Sequence, residues 1–372
     1  MTLLMFALLT LQEPQMAQDT PVVQDPSEVP VKKHKKKKQD PTQEPPGAAT
    51  PKLEDLERKP KREDYDPAFR VGMTLEYNDN IIRLDKRDLR AFNDGTNPEK
   101  FRIEQPQDFI YSPWAEADLA LGMFGTGGRA GVRVGGNIYQ VNSFASHPSL
   151  GAFIKAKSYS LEYTYEPGIY RREYRNLDTG IYESAFYDDH LFEAATKIGL
   201  GDGWLFRPKG GLEIRDYDSP FKYRTSIAPF LSPRLVYAIL EQLQPFVQYD
   251  FEYNYALAVG LQPDTSYVQN GVELGILSKL EKTIELEVKY RVEYRVYTTS
   301  NSPEVDPSHA GRTDIRTRIV AGGTWKPLPG LSVDVTYIHG AVDTNEPGKP
   351  ELSNEETSWR RNQYLVGFSY VF

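Results

Sequence analysis

The sequence predicts an all-β fold: a transmembrane antiparallel β-barrel of about 14 strands, within a range of about 12–16, behind a disordered N-terminal tail. Three observations carry that expectation. At the end of the chain, Tyr364, Val366, Phe368, Tyr370 and Phe372 fall on every second position. A period of two puts them on one face of a strand. In 284–296, Ile284, Leu286, Val288, Tyr290, Val292, Tyr294 and Val296 alternate with Glu285, Glu287, Lys289, Arg291, Glu293 and Arg295. The charged face cannot meet lipid, where a Lys or Arg near the midplane costs roughly 2–4 kcal/mol. A soluble sheet would need a second layer over the apolar face, and the sequence offers no helices to supply one. Third, short turns and long polar loops alternate without a slip from residue 68 to the end, which gives an even strand count, as bacterial single-chain barrels require.

Composition is compatible. The chain has 372 residues, 39% of them hydrophobic, with Tyr 24 and Phe 17 against Trp 4. Its mean hydropathy is −0.55. No apolar run of about 18 residues follows the start, so helical spans are excluded. The absence of cysteine excludes disulfides, Cys-ligated metal and a lipidated cysteine. A net charge of −8 lacks the basic balance of a nucleic-acid binder.

In chain order, 1–17 reads as a signal peptide. Leu3 to Leu11 is an apolar run of the right length, although no Lys or Arg precedes it and no clean cleavage site follows. Residues 18–67 are rich in Pro, Gln, Glu, Asp and Lys, as in an extended, disordered tail. Within them Lys32-Lys33-His34-Lys35-Lys36-Lys37-Lys38 is a basic cluster. On an exported chain it would touch cell-wall polymer or lipid phosphates, or serve only as a solvated tether. The barrel is expected over 68–372. Its strands are expected near 69–78, 115–123, 130–138, 153–165, 169–175, 190–200, 204–216, 221–238, 243–255, 267–278, 284–297, 313–326, 331–341 and 362–372. Glycine, proline and aspartate mark the short turns, among them Glu166-Pro167-Gly168, Gly201-Asp202-Gly203 and Pro327-Leu328-Pro329-Gly330. A loop is expected at 142–151. Pro208, Pro229, Pro233 and Pro245 predict bulges or strand ends.

The last strand resembles the C-terminal β-signal of bacterial outer-membrane β-barrel proteins. That pattern is polar, any, Gly, any, any, aromatic or apolar, any, aromatic. Gly367, Tyr370 and Phe372 fit it, and Leu365 stands where a polar residue is usual. The resemblance implies recognition by the barrel-assembly machinery and an outer-membrane location with both termini in the periplasm. Over 68–372 the chain is porin-like in architecture only, and fold alone does not give function.

The candidate lumen-lining residues are Arg133, Arg171, Arg175, Lys209, Arg215, Glu285, Glu287, Lys289, Arg291, Glu293, Arg295, Arg316 and Arg318. Arginine and lysine rings in a pore favour anions. The expected function is a channel for small polar, anionic or saccharide solutes, with outer-membrane lipid as its surroundings. The plainer reading is that these charges pair across strands and fill the barrel. A plugged barrel whose basic tail couples membrane to cell wall is the structural alternative. Catalysis is not expected. Asp188-Asp189-His190 and His339 are the only suggestive residues, and neither comes with a complete set of catalytic partners in the sequence. No cofactor or metal is expected.

Overall fold

The computed structural model describes residues 67–122, 128–240, 242–260, 262–281, 283–345 and 358–372. The leader, the basic cluster and most of the first short turn lie outside them. The described residues form one closed antiparallel barrel of 14 staves. These are β1 (Pro67–Asn78), β2 (Asp108–Ala120), β3 (Arg129–Tyr139), β4 (His147–Lys155) and β5 (Tyr159–Arg175). Three staves follow in two pieces each: β6 (Tyr182–Thr196 and Ile198–Gly201), β7 (Trp204–Arg207 and Lys209–Tyr217) and β8 (Ser226–Leu231 and Arg234–Tyr237). The remainder are β9 (Leu243–Ala256), β10 (Tyr267–Glu281), β11 (Ile284–Tyr297), β12 (Thr313–Leu328), β13 (Leu331–Asn345) and β14 (Trp359–Val371).

Proline accounts for two of the interruptions. Pro208 divides β7, and Pro233 divides β8. A missing N–H removes one ladder bond, and the strand resumes beyond it. Pro229 sits inside β8, where pairing to β9 is recorded at Ile227 and Phe230 but not between them.

Each stave pairs with the next, and β1 pairs with β14 to close the ring, from Arg70 opposite Val371 to Asn78 opposite Gln363. The backbone N–H of Phe372 donates to Phe69 O at 2.9 Å. Closure leaves no open edge, which hydrocarbon would not tolerate. The short turns and both ends of the barrel domain share one rim. The long connections share the other, here called the outer rim.

The expected strand count holds, but several boundaries move, with β2 starting at Asp108 rather than near 115 and β6 at Tyr182 rather than near 190. Glu166-Pro167-Gly168 is not a hairpin turn. It is a bulge inside β5, with Gly168 at φ 68° and its N–H donating to Asp188 Oδ1 at 2.9 Å. The true turn lies at 156–158, and β4 occupies part of the expected 142–151 loop. Sequence alone reads a Pro-Gly pair as a turn. Here the partner strand β6 runs past it and offers a carboxylate to the freed amide.

The two faces separate as the alternation requires. Val288, Tyr290 and Tyr294 are exposed on β11, while Lys289, Glu293 and Arg295 are buried. On β14, Tyr364, Phe368 and Tyr370 face outward, whereas Gln363 and Leu365 face in.

The longest described connection, 79–107, folds over the outer rim. It carries the helix α1 (Lys86–Asn93), whose N-cap Asp85 accepts from Asp88 N at 2.7 Å. Ile82, Leu84 and Ile103 bury against Ala145 and Tyr170. This is the largest apolar cluster among the described residues, and it sits at the rim. Elsewhere the interior is largely polar, with smaller apolar groups at Leu191 and Phe230 and at Val320, Ile338 and Leu365.

Candidate functional site in the barrel interior

Inward positions recur every second residue, so charged residues at i, i+2 and i+4 of one strand meet those of its neighbours. Arg133 donates to Glu116 at 2.6 Å and lies 3.5 Å from Glu162. Arg70 bonds Asp118 at 2.8 Å and also contacts Glu116. Arg215 bonds Glu213 at 2.6 Å, and Lys209 pairs with Glu193. On β11, Glu285 accepts from Lys326 at 2.9 Å, and Lys289 lies 3.0 Å from Glu287. Arg291 reaches Asp250 at 2.9 Å and Glu293 at 2.6 Å. Arg295 donates to Gln269 at 3.0 Å and covers the Tyr267 ring at 3.4 Å. Arg316 lies 3.6 Å from Asp314, which also accepts from Arg312 at 2.8 Å. Arg318 is the register partner of Arg291 on the next strand.

Two sequence-predicted residues sit at the rim. Arg175 is exposed and donates to Gly180 O at 2.8 Å, bracing the loop after β5. Arg171 lies among Tyr174, Tyr187 and Tyr217.

Much of the charge is therefore paired, and several carboxylates are deeply buried: Glu213, Glu252 and Asp314 are each 0% exposed. Glu213 and Asp314 alternate inward with the cations read from the sequence on their own strands, but Glu252 is not among the residues that reading singled out. Asp250, Glu252 and Asn254 stand at i, i+2 and i+4 of β9, and the same alternation would have found them.

Aromatic rings also enter the interior. Trp114, Phe246 and Phe230 lie over Gly72, Gly275 and Gly211, and a Cβ on any of these glycines would stand within 2.7 Å of a ring atom. Glycine there lets each ring lie flat along the wall.

The outer rim is tied across loops. Asp88 bonds Arg172 at 2.7 Å and also Lys100, which joins 79–107 to β5. Burial pushes the Asp88 carboxyl up, but Arg172 and Lys100 outweigh it and hold it below the usual value. Asp306, on the 298–312 loop, bonds His309 Nδ1 at 2.8 Å and accepts from Asp264 N at 2.8 Å on the 257–266 loop. Burial lowers the His309 pKa, Asp306 opposes that, and the neighbouring Arg224 and Arg312 add to the lowering. A cavity of about 310 Å³ lies nearby, lined by Asn176, Leu177, Asp178, Pro220, Tyr223 and Gln262.

On the outward face, Asp188 accepts from Tyr165 OH at 2.9 Å, and His190 Nδ1 lies 2.9 Å from Tyr163 OH. Asp189 is directed to the other side, opposite Arg215. His339 Nδ1 is 2.9 Å from Asn362 Oδ1. Of the C-terminal pattern residues, Gly367 lies beside Asp334 and Thr74, and Phe372 is exposed.

A closed 14-stave barrel, apolar outside and charged inside, has the porin-like architecture of a transmembrane β-barrel. No family model matches the chain, and no curated protein matches it. Solved structures do. The outer-membrane channel DcaP of Acinetobacter baumannii is similar at 11% identity, with 84% of this chain and 99% of that one covered and a TM-score of 0.42. An anion-selective porin from Comamonas acidovorans is similar at 9% identity, with coverage of 83% and 99% and a TM-score of 0.37. A bacterial polysaccharide outer-membrane secretin is similar at 7% identity, with coverage of 82% and 98% and a TM-score of 0.46.

Proposed function

We propose that the chain is an outer-membrane channel that passes small polar solutes, anionic or saccharide ones among them, by diffusion through a charged lumen. The observation that supports it best is the continuous inward-facing charge on β11 and its neighbours, enclosed by an apolar exterior. Groups so placed serve water and solute rather than lipid. In this reading the short-turn rim and both termini face the periplasm, the assembly machinery reads Gly367, Tyr370 and Phe372, and the barrel performs no chemistry. The test is planar-bilayer conductance of the refolded protein, with reversal potential in a salt gradient. Stable open steps with anion preference support the channel.

A second reading has specific support. The interior acids are buried and paired, which narrows the lumen. A filled barrel would then act as an anchor, with Lys32–Lys38 reaching cell-wall polymer. Silence in a sample folded by circular dichroism, together with pull-down of cell-wall polymer by the full chain, would favour it.

A further inference from the structure

Following the register across the sheet exposes a row that no single strand displays. Arg207 on β7 faces Arg234 on β8, and Arg234 faces Gln248 on β9. The row continues through Glu273 on β10, Arg291 on β11 and Arg318 on β12. It passes Gly340 on β13 and reaches Arg361 on β14. At its start, Ile198 faces Phe206 and Thr196 N bonds Pro208 O, so Lys197 stands opposite Arg207. The row thus holds six cations and one acid. The row on one side mixes Lys209 and Arg316 with Asp250 and Glu293. The row on the other carries Val236, Phe246, Val320 and Ile338, with Lys289 its lone cation.

The row also climbs. Strands lie about 4.8 Å apart, so the path from β6 to β14 is about 38 Å long. In barrels whose strands tilt by roughly 40°, a row perpendicular to the strands rises along the axis by about 25 Å. It therefore winds from the short-turn rim, where Lys197 lies, to the outer rim, where Arg361 lies.

At the lower end, Lys197 and Arg207 lack counter-charge among the described residues. Arg234 reaches Glu273 at 3.3 Å and Gln248 at 2.8 Å. Arg207 has no ion pair or side-chain hydrogen bond among the described residues, and its Nε is buried without a partner. The charge beside it is Arg234, and the charge beside Lys197 is Arg207. Like charges set opposite each other on adjacent strands destabilise a sheet unless something lies between them.

We propose that this row is a track for a linear oligoanion, and that Lys197, Arg207 and Arg234 form its binding station at the short-turn end. A single small anion would occupy one station. An oligomer bearing an acidic group on each unit would meet several at once, and its affinity would rise with length. The transport role rests on the channel reading above; the binding station rests on the register.

The experiment uses full-length protein in two formats, with trigalacturonate, monomeric galacturonate, neutral maltotriose and tripolyphosphate as probes. Calorimetry in detergent reads binding, and block of chloride current in a planar bilayer reads the path. Trigalacturonate is expected to bind at least tenfold more tightly than the monomer, and maltotriose not at all. Lys197→Gln with Arg207→Gln, which strands no acid, is expected to weaken trimer binding and trimer block of the current about tenfold each. Lys222→Gln at the outer rim is expected to change neither. Tripolyphosphate matching the trimer would mean that charge spacing alone is read; its failure would mean that the saccharide contributes. Open steps with no preference for the trimer would overturn the track and spare the channel. Binding of the trimer without open steps would overturn the channel and spare the station. Neither would sink both.

Discussion

Replacing Asp88 with Asn should release the 79–107 connection from the barrel wall. Asp88 is 3% exposed, and its carboxylate bonds Arg172 at 2.7 Å and also Lys100. Both partners are about a quarter exposed. Exposed pairs contribute about 0.2–1 kcal/mol, and stranding a partner of a fully buried pair costs about 3–5 kcal/mol. This site lies between those limits, so the loss should be about 2 kcal/mol, or roughly thirtyfold in the opening equilibrium. The assay is amide hydrogen exchange at neutral pH. The N–H of Ile81, which bonds Pro106 O, and that of Leu89, which bonds Asp85 O, should exchange about thirtyfold faster. Amides of β9 to β12 should not change. The carboxyl also predicts a pH dependence. Its folded pKa is lowered, so its stabilisation is present above its ordinary value of 3.8 and is lost as pH falls below that toward the folded value. Asp85, pushed up by burial and by Asp88, acts in the opposite sense. The variant separates the two, because acid release should be largely absent from it. Unchanged exchange in D88N, or acid release with the same midpoint in both proteins, would refute the clamp.

The His309 pKa is lowered by burial, so an opened 298–312 loop takes up protons first as pH falls below 6.5, and the closed loop loses stability there; exchange of the Ala310 and Arg312 amides should report it, and His309→Gln should abolish that part of the dependence. Asp314→Asn strands Arg312 and Arg316, at a cost of up to about 3–5 kcal/mol if they stay dry, so the urea midpoint should fall and the reversal potential should move toward anions; an unchanged midpoint would mean that water already screens them. At Gly275, a Val side chain would begin 2.3 Å from the Phe246 ring and force it off the wall, costing about 1–3 kcal/mol of stability; refolding yield and open-step size should both drop. Phe372→Ala with Tyr370→Ala removes exposed rings and leaves the 2.9 Å bond from the Phe372 amide, so spontaneous refolding in detergent should be nearly normal while assembly by purified machinery slows; equal effects in both would count against a recognition signal.

Much of the barrel was legible because a transmembrane strand must satisfy two solvents at once. Alternation in 284–297 and 362–372 has few competing explanations, and both strands lie within a residue or a few of where it puts them. Legibility failed where backbone chemistry depended on a neighbour. Pro167-Gly168 has turn composition, yet β5 continues because Asp188 on β6 satisfies the Gly168 amide. The helix at 86–93 was invisible for a related reason. Its sequence, Lys86-Arg87-Asp88-Leu89-Arg90-Ala91-Phe92-Asn93, reads as a polar loop, and its apolar side chains Leu89 and Phe92 pack into a cluster that Ala145 and Tyr170, far along the chain, complete.

The charged interior divides along the same line. That Arg291 faces inward is a property of its own strand, and alternation supplies it. That Arg291 meets Asp250, two strands away, while Arg207 meets only cations, depends on how the strands are set against one another. Register accumulates across a sheet, and slipping one strand by a single residue would turn its inward set to lipid. Alternation therefore fixes which face each strand presents, but leaves open displacements by two residues, which keep the face and change every partner. Such a displacement of β7 against β8 would set Lys209 rather than Arg207 beside Arg234, and Lys209 already has Glu193. The counter-charge missing beside Arg207 is thus a consequence of stagger. Composition predicts only that an interior holding both signs can pair them.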